Sequence, residues 1–127
     1  FQKEVAQRIV ATPGGKAYGR LSVMTQWRCR ANALFDVPPR AFTPAPKVTS
    51  TIVGLAPRPE PLAAAPAEVL EAVVAAAFGQ RRKMLRSSLK QISADPVALL
   101  TAAGLEPTLR AENLSVEQFC ALARAFG

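Results

Sequence analysis

Apolar residues recur with a helical period at both ends of the chain and with a strand period between them. Val5 and Ile9, with Ala6 beside them, share one side of a short helix over Gln2–Ala11. Thr12-Pro13-Gly14-Gly15 supplies the turn chemistry that ends it. A second helix is predicted over Tyr18–Cys29, with Leu21, Met24 and Arg28 on one face. The pattern then changes to strands, Ala31–Val37 and Val48–Ala56, enriched in β-branched and aromatic residues and separated by a proline-rich segment. Pro57–Pro66 holds four prolines and no periodicity, and reads as a linker. From Ala67 to Ile92 the three- and four-residue steps return at Leu70, Val73, Val74, Ala77, Phe78, Leu85, Leu89 and Ile92. Gly79 either divides that run into two helices or kinks it. Asp95-Pro96 forms a cap ahead of a helix over Val97–Ala103 that stops at Gly104, and Ser115-x-x-Gln118 is a capping box before Phe119 and Leu122.

The order helix, helix, strand, loop, strand does not close a domain. It predicts an α/β fold class for residues 1–57, the far end of a sheet whose other strands are absent, followed by a small all-helical domain over 67–127 beyond the 58–66 linker. Residues 64–127 are expected to fold on their own, whereas the open strand edges of 1–57 are expected to recruit other chains.

The proline segment carries the first candidate chemistry. Pro38, Pro39, Pro44 and Pro46 fix φ and push the residues before them out of the helical region, which makes a stiff, extended loop. Phe42 is its one large apolar side chain, and Lys47 follows where the second strand approaches. Such a loop either caps a core with its aromatic or offers that ring to a planar ligand such as a base.

Charge narrows the choice of partner. The chain has 127 residues, no histidine and a formal charge of +7. Residues 1–57 carry eight basic side chains against two acidic ones, and residues 58–127 carry eight against seven. Arg81, Arg82, Lys83, Arg86 and Lys90 nevertheless form a run with no acid between Gly79 and Ala94. On one continuous helix, Arg82, Arg86 and Lys90 would make a basic stripe opposite Leu85 and Leu89. A polyanion is the favoured partner, and nucleic acid leads. Without histidine a Ser-His-Asp or Cys-His device is excluded within these residues. Cys29 and Cys120 stand alone, so no metal site or disulfide framework is indicated, and they read with Met24 and Met84 as packing residues. Arg110 and Glu112 are expected to pair or cap locally. The first residues lack the pattern of a secretory signal, and no apolar run is long enough to span a membrane, so a cytoplasmic setting is expected.

Several of these segments, in the same order, resemble one family. AFTPAPKVTSTIV, FQKEVAQRIVA from Phe1, KAYGRLSVMTQ from Lys16, FGQRRKMLRSSLK from Phe78 and RAENLSVEQFCALA from Arg110 are similar to the C-terminal part of the KsgA family of ribosomal RNA adenine dimethyltransferases. The resemblance implies a Rossmann-like catalytic domain, here represented by its last strands, and a helical RNA-binding domain. It also implies S-adenosylmethionine as methyl donor, 16S rRNA in the small ribosomal subunit as partner, and a monomeric enzyme. It places Phe42 against the target adenine. Lys47 is left between an RNA phosphate and a solvated strand end, while Arg81, Arg82, Lys83, Arg86 and Lys90 dock on ribosomal RNA. The family's glycine-rich cofactor loop and Asn-Leu-Pro-Tyr motif lie upstream of the matching segments and are absent from these residues. The chain alone is therefore expected to be inactive. Two alternatives remain open: a non-catalytic module that only binds RNA or a ribosome, and the antibiotic-resistance methyltransferase of the large subunit, which shares the Phe-x-Pro-x-Pro-Lys-Val pattern.

Overall fold

The computed structural model describes residues 1–126. Helix α1, Lys3–Val10, buries Ala6 and Ile9 and carries an exposed Arg8–Glu4 ion pair of 2.7 Å along its outer side. The turn after it uses the positive φ of Gly14 (+90°), a conformation that costs glycine little. Helix α2, Arg20–Arg28, presents a different face from the one expected. Val23 and Trp27, one turn apart, are buried with Ser22, whereas Leu21 is 42% exposed. The buried Ser22 hydroxyl is satisfied in this orientation, accepting from the Gly19 N–H (3.1 Å) and donating to the Arg8 carbonyl.

Strands β1, Cys29–Val37, and β2, Ser50–Pro57, pair antiparallel from Cys29↔Pro57 to Val37↔Ser50, with one irregularity at Leu34. The first residues of the chain lie along the other edge of β2. Thr51 donates its N–H to the Phe1 carbonyl (2.7 Å) and Lys3 donates to the Thr49 carbonyl (3.0 Å). The strand is thus flanked on both sides at its start. Leu34 and Phe35 remain 59% and 60% exposed, and Ile52 and Leu55 are exposed as well.

In the second part, α3 (Ala67–Gly79) ends at Gly79, and Gln80 leaves the helical region at φ −129°, ψ 59°. The chain resumes as a single turn, α4 (Leu85–Ser88), continued by a 3-10 turn over Leu89–Gln91. The continuous helix needed for an Arg82–Arg86–Lys90 stripe therefore does not form. The competing partner is the turn and bridge at 107–110: Leu85 donates to the Leu109 carbonyl (2.7 Å), and Met84 bridges Arg110. Helix α5, Pro96–Ala102, starts on the Asp95 carboxylate, which accepts from the Ala98 N–H (3.1 Å), and Gly104 turns the chain with φ +74°. Helix α6, Val116–Phe126, opens with the expected reciprocal box: the Ser115 N–H donates to the Gln118 amide oxygen (2.8 Å), and Gln118 N–H donates to the Ser115 hydroxyl (3.1 Å).

The main core lies between α3, α4, α5 and α6, yet it takes in Tyr18, Val23 and Trp27 from before the proline-rich connection. Tyr18 is wholly buried; its hydroxyl donates to the Leu114 carbonyl (2.7 Å), and its ring meets Phe78 edge-on, which in turn leans on Phe119. The 58–66 segment is itself attached. Trp27 Nε1 donates to the Ala63 carbonyl (2.8 Å), Leu62 N–H donates to the Trp27 carbonyl (2.9 Å), and Arg124 donates to the Ala64 carbonyl. One apolar core thus spans both sides of that connection.

Candidate nucleic-acid interface

The loop between β1 and β2 is held at its stem by polar contacts. Asp36, one residue before the end of β1, forms a 2.9 Å ion pair with Lys3 of α1 and accepts from the Thr51 hydroxyl of β2 (2.8 Å). The hydrogen bond from Lys3, then that from Thr51, holds the Asp36 carboxyl below the ordinary carboxylate range. Beyond this stem, Pro39–Ala41 forms a 3-10 turn with proline at its start. Ala41 donates to the Pro38 carbonyl (3.0 Å) and Phe42 to the Pro39 carbonyl (3.1 Å). Its backbone is therefore fixed while the Phe42 ring stays 41% exposed, and Arg40 and Lys47 are exposed nearby in sequence. The ring belongs to no buried cluster.

The basic run separates into two kinds of residue. Arg81 is engaged with the protein: its guanidinium donates to the carbonyls of Tyr18 (2.5 Å) and Gly15 (3.0 Å). It also stands 3.8 Å from the Glu112 carboxylate and lies over the Phe78 ring at 5.6 Å. A planar fork suits two carbonyls at once, which a lysine could not satisfy in the same way. Arg81 thereby fastens the α1–α2 loop to the end of α3. Arg82, Lys83, Arg86 and Lys90 are exposed.

Folding adds cations that the linear run does not contain. A cavity of about 550 Å³ is lined by Lys16, Arg81, Arg82, Arg110 and Glu112. Arg110 caps locally, its N–H donating to the Asn113 side-chain oxygen (2.9 Å), and its Nε donates to the Arg82 carbonyl (2.9 Å), while Glu112 approaches Arg81 rather than Arg110. Lys16 follows Gly14 and Gly15, outside any run of cations, so charge in the linear sequence did not single it out. A second cavity, about 730 Å³, lies between α2 and α3 with Arg8, Lys16, Arg20, Leu21, Met24 and Arg81 in its walls.

Among the described residues no group of three or more metal-ligating carboxylates or cysteines comes together, and no helix is long and apolar enough to cross a membrane. Cys29 and Cys120 are both unpaired by disulfide. Burial pushes the Cys120 thiol up to about 11, so it stays a neutral packing group near pH 7.

An exposed aromatic on a braced proline loop and a cation-rich helical surface are features of the nucleic-acid-binding class of proteins. Comparison with known proteins gives that class a family. Residues 1–126 match the model of the family described as ribosomal RNA adenine dimethylase, and the chain belongs to it. It is 65% identical over 125 residues to the ribosomal RNA small subunit methyltransferase A of Rhodospirillum rubrum, covering 98% of this chain and 43% of that protein. The protein of the same name from Azorhizobium caulinodans is 58% identical, over 100% of this chain and 43% of its own length. The chain thus spans less than half of the curated relatives it matches. Among solved structures, a dimethyladenosine transferase from Plasmodium falciparum superposes with a TM-score of 0.76 at 23% identity, over 96% of this chain and 53% of that one. The 23S rRNA methyltransferase ErmE superposes with a TM-score of 0.63 at 27% identity, over 98% and 52%. The six α-helices and two strands of the described residues are consistent with part of a methyltransferase fold.

Proposed function

We propose that this chain is the C-terminal part of an enzyme that dimethylates adenine N6 in small-subunit 16S rRNA during ribosome maturation. Residues 1–57 are the last strands and helices of its Rossmann-like domain, and residues 67–127 are its RNA-docking helical domain. The observation that carries this reading is Phe42, exposed on a loop braced by Asp36, Lys3 and Thr51, within a chain of the adenine dimethylase family. An adenine amine is a poor nucleophile because its lone pair is delocalised into the ring. The base must leave its stack and be held against the methyl donor. A ring on a fixed backbone serves that orientation by stacking on one face of the base. Lys47 extends the loop's positive charge toward a phosphate, and Arg82, Lys83, Arg86 and Lys90 contact the ribosomal RNA, with Arg81 bracing the surface beneath them.

S-adenosylmethionine is the donor this function requires. The 730 Å³ cavity does not fit it, because Arg8, Lys16, Arg20 and Arg81 would face a sulfonium cation with Glu71 as the one acid in the wall. Donor binding is therefore assigned to the remainder of the protein, and no step of the transfer is placed on these residues beyond holding the base. Large-subunit RNA is the competing substrate, supported by the likeness to ErmE; the names of the more similar relatives favour the small subunit. A cytoplasmic, monomeric enzyme fits this function.

The test is methyl transfer from labelled donor to undermethylated small-subunit particles, comparing the isolated chain with the complete protein. Two methyl groups per target adenine are expected from the complete protein and none from the chain. Transfer to large-subunit RNA alone would replace this reading with its competitor.

A further inference from the structure

The rotation of α2 leaves an unexplained feature. Its core face is Val23 and Trp27, so Leu21 projects 42% exposed into the 730 Å³ cavity, beside the half-buried Met24 and Phe78. Around this apolar floor stand Arg8 from α1, Lys16 from the following turn, Arg20 from the start of α2 and Arg81 from the segment after α3. Glu71 is the acid in the wall, and it is paired with Arg20 at 2.9 Å across the two helices. Lys16 has no acid within ion-pair distance among the described residues.

We propose that this cavity binds one unpaired nucleotide of the RNA, its base against Leu21 and Met24 and its phosphate at Lys16, since Arg8 and Arg20 are already paired with Glu4 and Glu71. The proposal rests on the RNA-binding reading above and adds a second nucleotide site to that of Phe42. The volume is in the range of small-ligand sites, and an apolar floor with a cationic rim matches a base joined to a phosphate. RNA is favoured over an acidic peptide because the charge continues. Lys16 also lines the neighbouring cavity with Arg82 and Arg110, where the acid Glu112 is turned to Arg81, so a backbone leaving the first cavity passes further cations in the second. Unpaired nucleotides are the usual means by which folded RNA is read by a protein surface, since a base in a helix cannot reach such a floor.

The test uses the complete protein in a Phe42→Ala background, so that the loop ring contributes nothing. Affinity is measured at fixed salt for hexauridylate and for the same backbone without bases. Leu21→Ala, alone and with Met24→Ala, is expected to weaken hexauridylate roughly fivefold through lost apolar contact with the base, and to leave the abasic strand unchanged. Lys16→Ala is expected to weaken both strands. Leu21 is exposed, so the single variant retains the fold and keeps the test decisive if Met24→Ala does not. Equal losses on both strands, or none, would overturn the proposal. If Arg82→Ala with Lys83→Ala weakens RNA binding while the Leu21 variants do not, the cavity site fails and the RNA-binding reading stands. If neither set changes affinity, the RNA-binding reading itself fails. Competition by a leucine-containing acidic peptide, with RNA indifferent to Leu21, would assign the cavity to a protein partner and also overturn the proposal.

Discussion

The β1–β2 unit and the helical region reach a defined shape by different means. In the helical region the large side chains at the helix contacts, among them Leu70, Leu85, Leu100, Leu114, Phe119 and Leu122, are fully buried against one another. In the strand pair, Leu34, Phe35, Ile52 and Leu55 face outward, and the loop between the strands is held by a carboxylate, an ammonium and a hydroxyl. Packing fixes the first region because dispersion and dehydration act over many contacts. The second is held by a few directional bonds, which leaves an aromatic accessible at the loop. A binding ring needs this second kind of support, since a ring locked by packing has no face left for a ligand.

The largest expected effect tests packing. Phe119→Ala should lower the unfolding free energy by about 3–5 kcal/mol, whereas Phe35→Ala should change it by no more than about 0.5 kcal/mol. Urea titration of the two variants of residues 1–127, in which Phe35 is exposed, measures the contrast. Comparable losses would mean that other residues bury the outer strand face, and the difference between the regions would vanish.

Next comes Arg81, which fastens the α1–α2 loop to the end of α3. Arg81→Ala removes a charged donor from the Tyr18 and Gly15 carbonyls and should cost about 1–3 kcal/mol of stability. Arg82→Ala and Lys83→Ala should leave stability unchanged. Each should instead remove about 0.7–0.9 from the log–log salt slope of RNA binding if it contacts a phosphate. A stable Arg81→Ala protein with a reduced slope would return Arg81 to the group of phosphate ligands.

Phe42→Ala sharpens the comparison from the functional side. Losing about 1–3 kcal/mol of stacking, expressed in the transition state, would slow single-turnover methylation by roughly 5- to 150-fold. The thermal midpoint should stay unchanged, because the ring belongs to no buried cluster. A falling midpoint with an unaltered rate would make Phe42 a packing residue.

The smallest effect concerns the loop stem. The folded pKa of Asp36 lies below its unfolded value, so the ionised carboxylate stabilises the native state above the ordinary carboxylate range of about 4. That contribution is lost as pH falls through the depressed value. The Phe42 amide resonance should therefore shift with pH in this acidic window, and Asp36→Asn should abolish the shift. A pH-independent loop would show that the prolines alone hold it.

Local chemistry was legible before folding wherever a few neighbouring residues decide the outcome. The caps at Asp95 and Ser115, the stop at Gly104, the break at Gly79 and the proline loop bearing Phe42 all depend on residues within four positions of one another. The co-linear motifs likewise identified the family that comparison then showed. The buried face of α2 was not legible. Leu21 and Val23 are both apolar, and only contact with α3 and α6 decides that Val23 enters the core and Leu21 does not. The basic stripe failed for the same reason, since backbone bonding to Leu109, in a segment distant along the chain, competes with helix continuation at Arg82–Met84. Nor could Lys16 be placed beside Arg82, or Arg81 be recognised as a brace, from charge alone. Caps and turns are local energies written in adjacent residues, whereas the choice of buried face and the convergence of charges are set by what the rest of the chain brings alongside.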